Sequence, residues 1–163
     1  MKRIRLVVFL TAVTGLAAEY GWAESNCKQL KGEITIIPQA GTSVGTIQKG
    51  GVLDGTFTAV DTVSAGFSTP DPQVVSYTQD LIISTHEGQL TATSVWLFDF
   101  SNLPSIGAVT GLARIGPTSA KTGHATSTGR FAGATGFYFI NGTTVADAAG
   151  NSHAEITGQI CYQ

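Results

Sequence analysis

Apolar residues along this chain recur at every second position in short runs, and the runs are separated by Gly, Asn, Asp and Pro. That spacing is the period of a β-strand, whose successive side chains face opposite sides of a sheet, whereas a helix repeats every three to four residues. Thr, Val, Ile and aromatic residues fill the runs, and these types suit a pleated, half-buried surface. Strands are predicted over 31–38, 52–61, 75–86, 89–100, 108–115, 135–145 and 153–162, with shorter ones at 42–48 and 64–68. The pattern is all-β.

The clearest hairpin joins 80–86 to 89–96 through Glu87-Gly88, where glycine accepts the positive φ of a tight turn. Its second strand has two apolar faces. Leu90, Ala92, Ser94, Trp96, Phe98 and Phe100 point one way, and Thr91, Thr93, Val95, Leu97 and Asp99 the other. A strand with no plain solvent face fits a wall whose outside is covered by another segment or subunit. The stretch 116–133, rich in Gly, Thr, Ser and Ala, reads as loop or short irregular strand, and 69–72 as a turn.

The amino terminus departs from this pattern. Lys2, Arg3 and Arg5 precede an apolar run over 6–18 and then Gly21-Trp22-Ala23, the three parts of an export signal. Cleavage is expected after Ala23, leaving 24–163 as one domain. The apolar run is too short for the roughly 30 Å of hydrocarbon in a bilayer, so no membrane anchor is expected after cleavage. The expected location is secreted or periplasmic.

Formal charge over the whole chain is −2. Removal of Lys2, Arg3 and Arg5 with a single acid, Glu19, makes the remainder more acidic. With Lys28, Lys31, Lys49, Arg114, Lys121 and Arg130 scattered and no basic run, nothing neutralises a phosphate backbone, so nucleic acid is not an expected partner. Cys27 and Cys161 stand near the two ends of the exported chain. Export makes a disulfide the default reading, with two free or intermolecular thiols as the alternative. In a closed antiparallel barrel of even strand number, the two ends share one rim, where such a bridge forms.

Several short motifs suggest chemistry and lack the context for it. Gly41-Thr42-Ser43-Val44-Gly45 matches a nucleophile elbow, but Gly and β-formers follow where the elbow needs a helix. His86, His124 and His153 lack metal-ligand spacing, so no metal or cofactor is expected. Gly129, Gly133 and Gly136 read as sites of sharp turning or close backbone approach, with Phe131 anchoring the loop. Arg130 reads as a surface charge or, turned inward over the rim, as a fork for a ligand carboxylate. Of the acids, Glu33, Asp80 and Glu155 are the candidates for a role, with Glu155 outward. Asp54, Asp61 and Asp99 are assigned to turns and strand ends. Asn141-Gly142-Thr143 is both a glycosylation sequon and a type I′ turn signal, and the turn is the preferred reading.

Three segments carry a family resemblance: Thr128-Gly129-Arg130-Phe131-Ala132-Gly133-Ala134-Thr135-Gly136, the hairpin from Asp80-Leu81 to Gly88-Gln89-Leu90, and the terminal Gly158-Gln159-Ile160-Cys161. Together they resemble bacterial secreted relatives of the allene oxide cyclase-like and dirigent-like barrels. The resemblance implies a calycin-like closed antiparallel barrel of about eight strands. In plant allene oxide cyclases a carboxylate and a bound water close a ring on a fatty-acid epoxide inside the barrel. Glu33 is the one weak catalytic candidate here, since Thr35 stands where the water-holding asparagine is expected.

The first functional expectation is a non-enzymatic module that binds a small hydrophobic ligand in or at the barrel. Trp96, Phe98, Phe137, Tyr138 and Phe139 are the candidate contacts, with Arg130. An isomerase or cyclase using Glu33 or another inward carboxylate is the second. A structural or homo-oligomer-forming protein is the third.

Overall fold

The computed structural model describes residues 26–63, 70–101, 107–144 and 151–163. Within them lie eight strands: β1 Asn26–Gln39, β2 Thr42–Gln48, β3 Gly55–Val63, β4 Val74–Thr85, β5 Gly88–Asp99, β6 Gly107–Ile115, β7 Thr135–Thr144 and β8 Ser152–Tyr162. Each pairs antiparallel with its neighbour in sequence, and β8 pairs back onto β1, so the sheet is a closed barrel without a free edge. The all-β barrel expected from the sequence is the observed fold. The 64–68 strand lies outside the described residues, as does the export signal.

Alternation sorts the side chains. Leu30, Ile34, Ile47, Phe57, Leu81, Ile83, Leu90, Trp96, Ile115, Tyr138, Ile140, Ile156 and Ile160 form one buried core. Lys31, Glu33, Arg114, Glu155 and Gln159 occupy the opposite parity and are exposed. The interior is apolar, and the outer wall mixes these charged and polar side chains with exposed Val95, Leu112, Phe137 and Phe139. Among the described residues, no helix is long and apolar enough to cross a membrane.

Strand β1 runs longer than predicted because its first residues pair with β8 from Asn26↔Tyr162 onward. Cys27 and Cys161 face each other directly in that register, with Cα atoms 3.9 Å apart, and form the disulfide across the closing seam. Residues 52–53, predicted as the start of a strand, belong instead to a 3₁₀ turn at Gly51–Leu53 that seats Leu53 in the core. The β4–β5 turn is one residue earlier than predicted: Thr85 pairs with Gly88, so His86 and Glu87 make the bend and Gly88 (φ +140°) starts β5.

One expectation is overturned. Asn141-Gly142-Thr143 is no turn; it lies inside β7, with Asn141 paired to Thr110 on one side and Glu155 on the other. Glycine is needed there for closeness, since a Cβ on Gly142 would sit 2.1 Å from the His153 carbonyl oxygen.

The start of β5's outer face, at Thr91, is covered by the chain's own segment 116–128, while Val95 farther along stays exposed. Thr91 donates to the Gly116 carbonyl at 2.8 Å and lies 3.1 Å from Ser127 Oγ, while the Ala125 amide donates to Thr118 Oγ1 and closes the strap on itself. Asp80, pointing outward from β4, accepts hydrogen bonds from the Ser119 amide, the Ser119 and Thr122 hydroxyls and Thr93. Past the strap, Gly129–Phe131 folds under the barrel and inserts Phe131, fully buried, against Tyr162. Gly88 and Gly129 permit this crossing, because a Cβ on either would lie within 2.4 Å of a carbonyl oxygen of the other segment.

Candidate functional site

The middle of the barrel is full. Ile83, Leu90, Ala92, Ala113, Tyr138, Ile140 and Ile160 are each 0 % exposed, so no water-sized void borders them. Small inward positions make room for large ones: a Cβ on Gly158 would stand 2.5 Å from Tyr138 Cα, and one on Gly45 would stand 2.6 Å from the Phe57 ring. Packing of this kind leaves no place for a ligand at mid-depth.

The inner face changes character toward the end of the barrel where β1, β3, β5 and β7 finish. There Val75 and Tyr77 of β4 and Phe98 of β5, together with Phe100 just beyond it, are only half-buried. Their rings form a ladder. Phe98 stacks on Trp96 with centroids 6.1 Å apart and on Phe100 at 6.0 Å, and meets Tyr77 edge-on at 5.7 Å. Trp96 itself is buried, and its indole N–H donates to Ser94 Oγ at 2.5 Å.

Beside the ladder the inner face is polar. The pairs Asp61↔Gln79 and Gln79↔Ser94 continue in phase from Ala59↔Leu81 and Leu81↔Ala92, so Asp61, Gln79 and Ser94 point inward. Gln79 is buried and donates to Asp61 Oδ1 at 2.7 Å, with Ser43 Oγ 3.5 Å away. Ser94 in turn donates to the Gln79 carbonyl at 3.2 Å. The register of β3 against β4 shifts just after Asp61, leaving Thr62 unpaired in a bulge; bulges of this kind re-aim a side chain at a barrel rim. The β3–β4 register thus sets the half-buried Asp61 carboxylate one diagonal step from Tyr77, the ring that meets Phe98 edge-on. The arrangement can bury an apolar body against the rings and anchor one polar group on Asp61.

Asp61, expected to serve a turn or strand end, faces inward near the end of β3. The missed signal was phase: Asp61 shares parity with Phe57 and Ala59, and Gln79 with Leu81 and Ile83. Asp54 and Asp99 do serve turns, accepting from the Gly50 and Ser101 amides. In Asp99 those Ser101 hydrogen bonds hold the carboxyl below its usual value.

The candidate aromatics do not form one surface. Trp96 and Phe98 belong to the inner ladder, and Tyr138 lies deep in the packed core, where burial pushes its phenol up and its hydroxyl meets no partner among the described residues. Phe137 and Phe139 face outward, 43 % and 45 % exposed. Arg130 is at the opposite rim; its guanidinium donates twice to the Glu87 carboxylate, at 2.6 and 2.8 Å, and lies over the Tyr162 ring. Glu33 is on the outer wall, exposed, with Lys49 Nζ 2.6 Å away. It lines a shallow outer groove of about 350 Å³ with Thr35, Gln48, Asn141, His153 and Glu155.

Ser43 sits inside β2 with its hydroxyl toward Gln79, in a strand and without a neighbouring histidine base. His86 is exposed at the β4–β5 turn, and His153 lies 3.3 Å from Thr35 on the outer wall. Among the described residues, no three His, Cys, Asp or Glu side chains are grouped to hold a metal ion. Comparison with family models, with curated proteins and with solved structures yields no match.

Proposed function

We propose that the chain is an exported barrel, secreted or periplasmic, that acts by binding rather than by catalysis and takes a small hydrophobic ligand at its mouth. The ligand lies against Tyr77, Phe98 and Phe100, above a filled lumen. One observation carries this reading: a half-buried ring ladder and an inward carboxylate one register step from Tyr77 lie toward the same end of a barrel whose middle is closed. Apolar walls with a few fixed polar groups are the usual make-up of a small-molecule site. The disulfide is what an oxidising compartment permits, and so supports export. Kinship with the allene oxide cyclase-like and dirigent-like barrels belongs to the same proposal, and a closed eight-stranded barrel is the fold that kinship implies.

A cyclase or isomerase gains nothing from Glu33, which faces solvent on a lysine. A second reading, a homo-oligomer, is favoured by the exposed apolar row Val95, Leu112 and Phe139 on the outer wall, with Phe137 beside it.

Binding has a built-in reporter. Once Trp22 leaves with the signal, Trp96 is the remaining tryptophan, and it stacks on Phe98. Titration of the oxidised 24–163 chain with 4-phenylbutanol is expected to shift Trp96 emission saturably, and Phe98→Ala to abolish the shift. Unchanged emission together with no heat of binding overturns the proposal.

A further inference from the structure

We infer that the ligand of the mouth carries a protonated amine, its ammonium on Asp61 and its apolar body on Tyr77, Phe98 and Phe100. This rests on the mouth reading above and adds the ligand's charge to it.

Three features select that charge. The first is the carboxylate itself, set on the inner face beside the β3 bulge and held at Oδ1 by Gln79, a buried side chain fixed by its place in β4. An anchor already positioned does not have to be ordered when the ligand arrives. The second is the ring ladder, whose faces attract a cation through the aromatic quadrupole while shielding it partly from water. The third is the placement of the chain's own cations. Among the described residues Lys28, Lys49 and Arg130 lie at the opposite end, and Lys31 and Arg114 face outward. Lys121 donates to the Thr62 carbonyl, and no ion pair joins it to Asp61 among the described residues.

The consequence is selectivity by sign. A hydrophobic carboxylate such as a fatty acid would bring a second negative charge against Asp61 in a partly shielded site, where like charges repel more strongly than in water. An amine of the same shape gains a charge-assisted hydrogen bond at the same point. A neutral alcohol falls between.

The test uses three probes of one shape, 4-phenylbutylamine, 4-phenylbutanol and 4-phenylbutyrate, on the oxidised 24–163 chain, read by calorimetry and Trp96 emission. The amine is expected to bind about tenfold more tightly than the alcohol, and the carboxylate most weakly. Asp61→Asn is expected to bring the amine to the alcohol's affinity and leave the alcohol unchanged. If that variant fails to fold, salt takes its place: raising ionic strength from about 0.05 to about 0.5 M should erode the amine's advantage on the native chain. Equal binding of all three probes, or tightest binding of the carboxylate, with Phe98→Ala still weakening each, overturns the amine and leaves the mouth standing. An amine advantage that survives both Asp61→Asn and salt overturns it as well. No binding by any probe removes the mouth reading and the amine with it.

Discussion

Asp80 fastens the outer strap. Burial alone would raise its carboxyl, but hydrogen bonds from the Ser119 and Thr122 hydroxyls, the Ser119 amide and Thr93 outweigh that and hold it below the ordinary 3.8. A carboxylate whose folded pKa lies below its unfolded one stabilises fully above the unfolded value, and that stability drains as pH falls through the folded value. Asp80→Asn presents an N–H to groups that donate, so it is expected to cost about 2 kcal/mol at pH 7 in urea unfolding. The variant's stability should also fall less steeply than the native chain's between about pH 5 and pH 2. Parallel pH profiles would contradict the assignment. Tyr138 makes the opposite case: its buried hydroxyl meets no partner among the described residues and has no room for water beside it. Tyr138→Phe is therefore expected to raise stability by about 1 kcal/mol, and a loss on denaturant unfolding would show that the hydroxyl is bonded. Neither role was legible from residue type. The 80–96 hairpin brings Asp80 one donor, Thr93, but the others come from the return of Ser119 and Thr122 over β4, a contact that spans dozens of positions in the chain.

At the scale of elements, alternation told most of the story. The two apolar faces of 89–100 predicted a covered wall; the chain's own 116–128 segment covers its start at Thr91, and the outward Val95 stays exposed. Strand ends moved by a few residues because pairing partners, which a single run of sequence does not contain, decide where a ladder stops. Gly142 misled for a physical reason: glycine marks both a turn, which needs positive φ, and a strand position where another backbone passes too close for a Cβ, and Asn-Gly favours the first. The same distinction yields a prediction. Gly158→Ala puts a Cβ 2.2 Å from the Phe137 carbonyl oxygen, whereas Gly41 (φ +71°) has nothing within 4 Å of its Cβ position. Gly158→Ala is expected to cost about 3 kcal/mol through overpacking, and Gly41→Ala about 1 kcal/mol through backbone strain alone. Equal losses in paired urea melts would show that the seam between β7 and β8 is looser than described.

For the whole molecule, closure is the organising fact. Eight antiparallel strands return the last to the first, and the disulfide ties that seam over a separation of 134 residues. Restricting so long a loop in the unfolded chain is worth about 4 kcal/mol, so reduction or the paired change Cys27→Ser with Cys161→Ser should lower unfolding stability by that order without altering the circular dichroism of the native barrel. The outer apolar row predicts self-association. Sedimentation should give a multiple of the chain mass that Leu112→Ser with Phe139→Ser reduces to the monomer, and a native chain already monomeric at high concentration would remove the oligomer reading. The proposed mouth was half visible in the sequence: Trp96 and Phe98 stand out as aromatics, but Tyr77 meets Phe98, and Asp61 comes beside Gln79, only through the β3–β4–β5 register. The most direct test of the account is a nitrogen–proton correlation spectrum of the oxidised 24–163 chain titrated with 4-phenylbutylamine. Saturable shifts are expected at Asp61, Tyr77, Gln79, Phe98, Phe100 and the Trp96 indole, with Leu90, Tyr138 and Ile160 unmoved. Shifts centred on Tyr138 and its neighbours in the core, or on Phe137 and Phe139 outside, would contradict it.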